Sequence, residues 1–127
     1  MAAATPSVTG QSKYAGLSPK RLLWAYRTML LSRRMDEKEI QLHRQGRTFF
    51  QISGAGHEAL QLAAAAALEP GLDWFLLYYR GRTLALGAGL QPLELLLEAV
   101  GAAEAPFSGG RQMPSHWGHR QRKVFSR

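Results

Sequence analysis

Three short stretches of this chain carry side chains able to bind a ligand. Residues 73–82, DWFLLYYRGR, form an apolar and aromatic run that ends in Tyr78-Tyr79-Arg80. Arginine is a planar, permanently charged fork suited to phosphate, and a neighbouring tyrosine adds a hydroxyl donor. Read alone, however, the stretch is better explained as a buried strand or helix start with Arg80 as its first solvated residue. Residues 48–56, TFFQISGAG, pair Phe49-Phe50 with a Gly54-x-Gly56 turn that precedes a helix. That turn lacks the third glycine, the long preceding strand and the downstream acid of a dinucleotide fingerprint, so a close backbone approach explains it better than a phosphate loop. Residues 107–116, FSGGRQMPSH, form a glycine-rich loop that carries Met113 and His116.

Other groupings are weaker. His116-x-x-His119 has a metal-ligand spacing on a helix, but Pro114 and Gly118 argue against a helix there and no third ligand is evident. His57-Glu58 opens a helix, where the helix dipole accounts for the acid and nothing in the spacing demands a general base. The chain contains no Asn and only two Asp, Asp36 and Asp73, which leaves few oxygen ligands for a divalent cation.

The 127 residues, 46% of them hydrophobic, suffice for one modest domain with a core. No apolar run reaches membrane-spanning length and the first residues lack the pattern of a secretory signal. The absence of cysteine suits the cytosol. Net charge is +7, with Arg111, Arg120, Arg122, Lys123 and Arg127 clustered near the end. Trp117 and Phe125 lie among them as stacking candidates, but no nucleic-acid recognition module accompanies them.

The elements that must position these residues are mostly helices. Residues 1–16 read as a mobile arm. Ser18 as N-cap and Pro19 at the first helical position start a helix expected to run to about Gln45 and stop at Gly46. Its packed face is predicted from Leu22, Tyr26, Met29 and Leu30, and a charged face from Arg33-Arg34 and Asp36-Glu37-Lys38-Glu39. Phe49, Phe50 and Ile52 suggest a short extended piece. A second helix follows, from Gly56 or His57 to Leu68, with Leu60, Ala63, Ala64 and Ala67 as its small packing face. Residues 81–89 and 92–100 are expected to be helical as well, and residues 119–127 an irregular basic tail. The residues alone thus describe a mainly helical scaffold whose loops present a partly apolar pocket to an anionic ligand. A non-catalytic helical interaction module fits the same pattern.

Taken in order, Met29…Arg33…Asp36…Arg44-Gln45-Gly46, Gly56-His57-Glu58-Ala59, Asp73-Trp74…Tyr79-Arg80 and Gly110-Arg111-Gln112-Met113-Pro114…His116 closely resemble the alpha subunit of the decarboxylating component of 2-oxo acid dehydrogenase complexes. The resemblance covers about residues 17–118. Ile52 and the run GRQMPSHW make it nearer to the bacterial branched-chain (2-oxoisovalerate) type than to the pyruvate type. It implies an N-terminal fragment of an α/β thiamin-diphosphate-binding fold, mainly α as it stands. By resemblance Tyr78, Tyr79 and Arg80 bind the cofactor thiamin diphosphate. Phe50, Tyr79, Met113, Pro114, Ser115 and His116 line the substrate pocket, and no residue of this chain is assigned a catalytic or metal-binding role. The implied reaction is oxidative decarboxylation of a branched-chain 2-oxo acid, with acyl transfer to a lipoyl-bearing acyltransferase. The implied partner is a beta subunit, in a two-plus-two tetramer, in the bacterial cytoplasm.

One departure is large. The family's Gly-Asp-Gly and Asn-Asn magnesium motif is missing, since the chain has no Asn and no Asp after Asp73. The sequence is therefore expected to be a truncated or frame-shifted product, or a fragment, that is inactive on its own.

Overall fold

Ser18 opens the long first helix, α1 (Pro19–Arg44), where its hydroxyl accepts the backbone N–H of Arg21 at 3.2 Å. Gly46, at φ +69°, closes it in the left-handed conformation that glycine adopts without strain. A computed structural model describes residues 13–126. Within the expected arm, residues 13–16 form a turn, and residues 1–12 lie outside the described residues.

The buried stripe of α1 is not the one its apolar periodicity predicts. Tyr26 and Leu30 are exposed, and Leu22 and Met29 only half-buried. The buried residues are Thr28, Ser32, Met35, Asp36, Glu39 and Leu42, so a mostly polar stripe faces the protein. Asp36 and Glu39, read from the sequence as part of a solvated charged face, turn inward because a buried arginine, Arg82, meets them there.

That arginine begins α3 (Arg82–Gly87), a short helix at the centre of the molecule. Around it lie α1, α2 (Glu58–Ala67) and α4 (Pro92–Ala99). Helix α2 buries Leu62 and Ala65, whereas Leu60, expected on its packed face, is 74% exposed. The reason lies on α3: Gly87 sits opposite Ala65, and a Cβ at Gly87 would collide with that of Ala65. The two backbones approach closely only because the glycine has no side chain. Helix α4 starts with Pro92 in its first turn, and Glu94 accepts the Gln91 backbone N–H at 2.7 Å.

Strands β1 (Phe75–Leu77) and β2 (Val124–Ser126) pair in parallel, with Phe75 opposite Val124 and Leu76 opposite Phe125. Alternation sends Phe75, Leu77 and Val124 into the core and leaves Leu76 70% exposed. The expected irregular tail is thus corrected: Arg120–Arg122 make a 3-10 turn, the chain then enters the sheet, and Val124 is 1% exposed. An apolar residue directly after a basic run found a partner strand, which the charge pattern conceals. Trp117, with Phe75, Leu77, Ala85, Ala88, Leu90 and Leu95, completes the core. At 1% exposure Trp117 offers no face to a nucleic-acid base, and Phe125 already stacks on Trp74 with ring centroids 4.9 Å apart. The architecture is mainly helical with a small parallel sheet, as expected from the sequence. No helix among the described residues is long and apolar enough to cross a membrane.

The close α2–α3 approach gives a direct check. Gly87→Ala should lower stability by about 1–3 kcal/mol through overpacking, read as a lower denaturation midpoint in urea.

Candidate functional site

After β1 the chain turns sharply. The Gly81 backbone N–H donates to the Tyr78 carbonyl at 2.6 Å, and a Cβ at Gly81 would stand 2.7 Å from that same oxygen. The tight corner places three candidate residues together. Arg80 Nη1 donates to the Tyr78 hydroxyl at 2.8 Å. Its guanidinium lies 5.1 Å from the centroid of the Tyr79 ring, whose own centroid is 3.8 Å from that of Tyr78. The neighbouring Tyr79 raises the Tyr78 hydroxyl pKa, and burial adds to this more than Arg80 offsets, so the phenol remains a donor. Among the described residues no carboxylate lies within ion-pair distance of Arg80.

The corner stands on a buried charge cluster. Arg82 Nη1 donates to Asp36 at 2.9 Å and Nη2 to Glu39, which leaves Nε without a partner. Two carboxylates thus share one guanidinium away from water. Burial pushes the Glu39 carboxyl up to about 7, against the attraction of Arg82 and with a contribution from the like charge of Asp36. Thr83 Oγ1 adds a hydrogen bond to Ser32 Oγ at 2.7 Å. On the other side Gln61 of α2 donates from Nε2 to the Arg80 carbonyl at 2.9 Å.

Residues 48–56, where Phe49, Phe50 and Ile52 suggested a short extended piece, form neither helix nor paired strand. No strand pairs with them, and their polar groups are engaged elsewhere: Gln51 Nε2 donates to Asp36 at 3.2 Å, and Ser53 Oγ donates to the other Asp36 oxygen. Gly54 supplies the close approach expected of this turn, because its Cβ position is 3.1 Å from the Arg80 carbonyl oxygen. Phe49 is 98% exposed and Phe50 half-buried.

The third stretch meets the same loop at its other end. Thr48 and Phe49 line a cleft of about 260 Å³ with Val100, Gly110, Gln112 and Pro114. Met113 is exposed, while Ser115 is buried at φ +68°, a left-handed conformation costly for a residue with a side chain. His116 Nδ1 lies 3.0 Å from the Pro114 carbonyl. A carbonyl only accepts, so Nδ1 carries the proton, and in the neutral ring Nε2 is the free acceptor. Below this loop the buried Glu98 accepts from Ser108 Oγ at 3.2 Å. Burial raises its carboxyl above the usual value, against that hydrogen bond and His116.

The loop at residues 48–54 therefore touches both other segments: Gly54 backs the Tyr78–Tyr79–Arg80 corner, and Thr48 and Phe49 face the loop that carries Met113, Pro114, Ser115 and His116. Phe50, Tyr79 and His116 share no direct hydrogen bond or ring contact among the described residues. The two histidines do not converge on a metal, since His119 Nδ1 accepts the Arg122 backbone N–H at 3.3 Å. Glu58 is also occupied. Burial works to raise its carboxyl, but its own backbone N–H, the Arg33 guanidinium at 2.6 Å and the Gly56 N–H together bring it below the usual value. It is a carboxylate held in an ion pair, which lowers its basicity.

Sequence reasoning missed Gln61, Asp36, Glu39 and Arg82. Arg82 carried one available signal: it lies two residues after Arg80, at the start of a segment otherwise apolar through Leu86 apart from Thr83.

Fold and corner define a helical platform that presents an arginine flanked by two tyrosines and, among the described residues, without a carboxylate partner. The chain matches the family described as Dehydrogenase E1 component over residues 26–127, and it belongs to that family. It is 39% identical over 118 residues to the 2-oxoisovalerate dehydrogenase subunit alpha of Bacillus subtilis (strain 168), covering 93% of this chain and 36% of that protein. It is 33% identical over 115 residues to the mitochondrial 2-oxoisovalerate dehydrogenase subunit alpha 1 of Arabidopsis thaliana, covering 91% of this chain and 24% of that protein. It is 32% identical over 106 residues to the mitochondrial 2-oxoisovalerate dehydrogenase subunit alpha of Bos taurus, covering 84% and 23% respectively. The chain spans 36% or less of the length of these relatives.

The buried carboxylates set a pH dependence. Glu39 is raised from 4.5 to about 7 in the folded state, so the native chain holds a proton that the unfolded chain releases between these values. Its contribution to stability is present below pH 4.5 and is lost as pH rises through about 7. Urea denaturation midpoints should fall across this interval, and Glu39→Gln should flatten the fall.

Proposed function

We propose that this chain forms part of the alpha subunit of a thiamin-diphosphate-dependent 2-oxo acid dehydrogenase of the branched-chain type. The reaction is oxidative decarboxylation of a 2-oxo acid such as 2-oxoisovalerate, with acyl transfer to the lipoyl group of a partner acyltransferase. A beta subunit completes the enzyme, and the proposed setting is the bacterial cytoplasm. The observation that carries this reading is the Arg80 guanidinium, bonded to the Tyr78 hydroxyl and unmatched by any carboxylate among the described residues. The subunit-alpha names of the relatives support the same reading.

The donor set fits a diphosphate. Arg80 supplies a charge-assisted fork, and Tyr78 and Tyr79 supply hydroxyl donors and an aromatic rim. Bound thiamin diphosphate supplies the nucleophilic carbon and the electron sink for loss of carbon dioxide. This chain binds and orients. Phe50, Met113 and Pro114, with the ring of Tyr79, offer apolar surface to a branched aliphatic group. Ser115 holds the loop in its left-handed turn, and His116 keeps a proton on Nδ1 while Nε2 is free to accept one. Magnesium fits less well: no group of three or more His, Cys, Asp or Glu among the described residues is placed to hold a metal ion. No step is assigned to a metal in this chain.

Calorimetric titration with thiamin diphosphate in the presence of magnesium tests the anion site. Arg80→Ala should weaken binding roughly 10- to 100-fold, the scale of one hydrogen bond to a charged group. Unchanged affinity would overturn the reading. In the dehydrogenase assembled with its beta subunit, Phe50→Ala should raise the KM for 2-oxoisovalerate several-fold more than that for pyruvate. Equal changes would instead favour a pyruvate enzyme.

A further inference from the structure

Gln61 is the only polar side chain from Ala59 to Leu68, a stretch otherwise made of alanine and leucine. Both ends of its amide are engaged. Nε2 donates to the Arg80 carbonyl at 2.9 Å, and Oε1 accepts the backbone N–H groups of Thr83 at 3.1 Å and Leu84 at 3.3 Å. Helix α3 has Gly81 at its N-cap, with no side chain to cap those N–H groups, so a residue from a different helix does it. The same Arg80 carbonyl is backed by Gly54 at the close approach already described. The Arg80 main chain is thus fixed from two sides, although its guanidinium stands free of any carboxylate. A long arginine side chain loses rotational freedom when it grips a ligand, and a fixed main chain limits how much remains to be lost.

We propose that Gln61 is a positioning residue for anion binding: its amide sets the direction in which Arg80 presents its guanidinium to a diphosphate. This rests on the reading of Arg80 as the anion-binding residue. The donor end of Gln61 serves Arg80 and the acceptor end serves α3, so the two roles are separable. Gln61→Glu keeps the acceptor for Thr83 and Leu84 and loses the donor to the Arg80 carbonyl. Gln61→Met keeps the volume and loses both.

The test is a double-mutant cycle on the full chain, with inorganic pyrophosphate as the probe and affinity read by calorimetry. Gln61→Met should weaken binding about 3- to 10-fold, the effect of one neutral hydrogen bond. In the Arg80→Ala background the same change should have no further effect. Gln61→Glu should weaken binding in the same direction while the melting temperature stays close to that of the unaltered chain. A second readout needs no ligand: the heteronuclear NOE of Arg80 Nε–Hε should fall in both Gln61 variants. If Arg80→Ala leaves pyrophosphate affinity unchanged, or the unaltered chain does not bind the probe, the anion-site reading fails and Gln61 has nothing to position. If Arg80→Ala weakens binding but Gln61→Met has no effect, or an equal effect in both backgrounds, Gln61 is only packing between helices and the inference is overturned. An Arg80 NOE unmoved by either Gln61 variant overturns it as well.

Discussion

One buried guanidinium holds the described structure in register. Arg82 enters the interior flanked by Asp36 and Glu39 of α1, and its guanidinium needs a carboxylate partner there because an unpaired buried charge is severely penalised. A purely apolar contact between α1 and α3 tolerates sliding by a fraction of a turn. A two-pronged ionic contact, continued by the Thr83–Ser32 hydroxyl pair, does not. The polar stripe along α1 follows from this arrangement: it buries Met35 and Leu42 beside the polar residues and leaves Leu23, Tyr26, Leu30 and Leu31 exposed.

The same cluster reaches the candidate site. Asp36 accepts from Arg82 with one oxygen and from the loop at residues 51–53 through Gln51 and Ser53. The side chain that anchors α3 therefore also anchors the loop bearing Phe50. Since α3 begins two residues after Arg80, the Tyr78–Arg80 corner and the aromatic loop hang from one carboxylate. Loops held this way by a rigid interior are suited to present binding groups without folding around the ligand.

Local punctuation was well written in the sequence. Ser18-Pro19, Gly46 and Pro92 marked helix ends that the structure reproduces to within a residue or two, because capping is a local matter of backbone hydrogen bonds and φ. The Gly54 turn was legible for the same reason. Burial was less so. Asp36 and Glu39 look solvated in any periodicity plot, and only the distant Arg82 reverses that. Leu60 and Leu62 lie two apart on α2, and the choice between them depends on a glycine in another helix. Val124 hides behind a basic run, and its burial requires β1, far away in the chain. The candidate site divides similarly. Tyr78, Tyr79 and Arg80 were singled out by type and order, whereas Gln61, which touches none of their side chains, was invisible until the Arg80 carbonyl could be seen.

The pairing of β1 with β2 has a consequence for how the molecule assembles. Helices α3 and α4 and the loop at residues 107–116 all lie between the two strands in sequence, so parallel pairing closes a long loop around them. Closing such a loop costs chain entropy before any pairing compensates for it, and contacts of this separation form late. Only the turns within α3 and α4 are local; the contacts of Arg82 with Asp36 and Glu39 close loops about as long as that of the strand pair. The strand pair and the Arg82 cluster therefore meet the same entropic cost, and the core around α3 is complete only when both are made, with Val124 in one apolar cluster with Ala85 and Leu86.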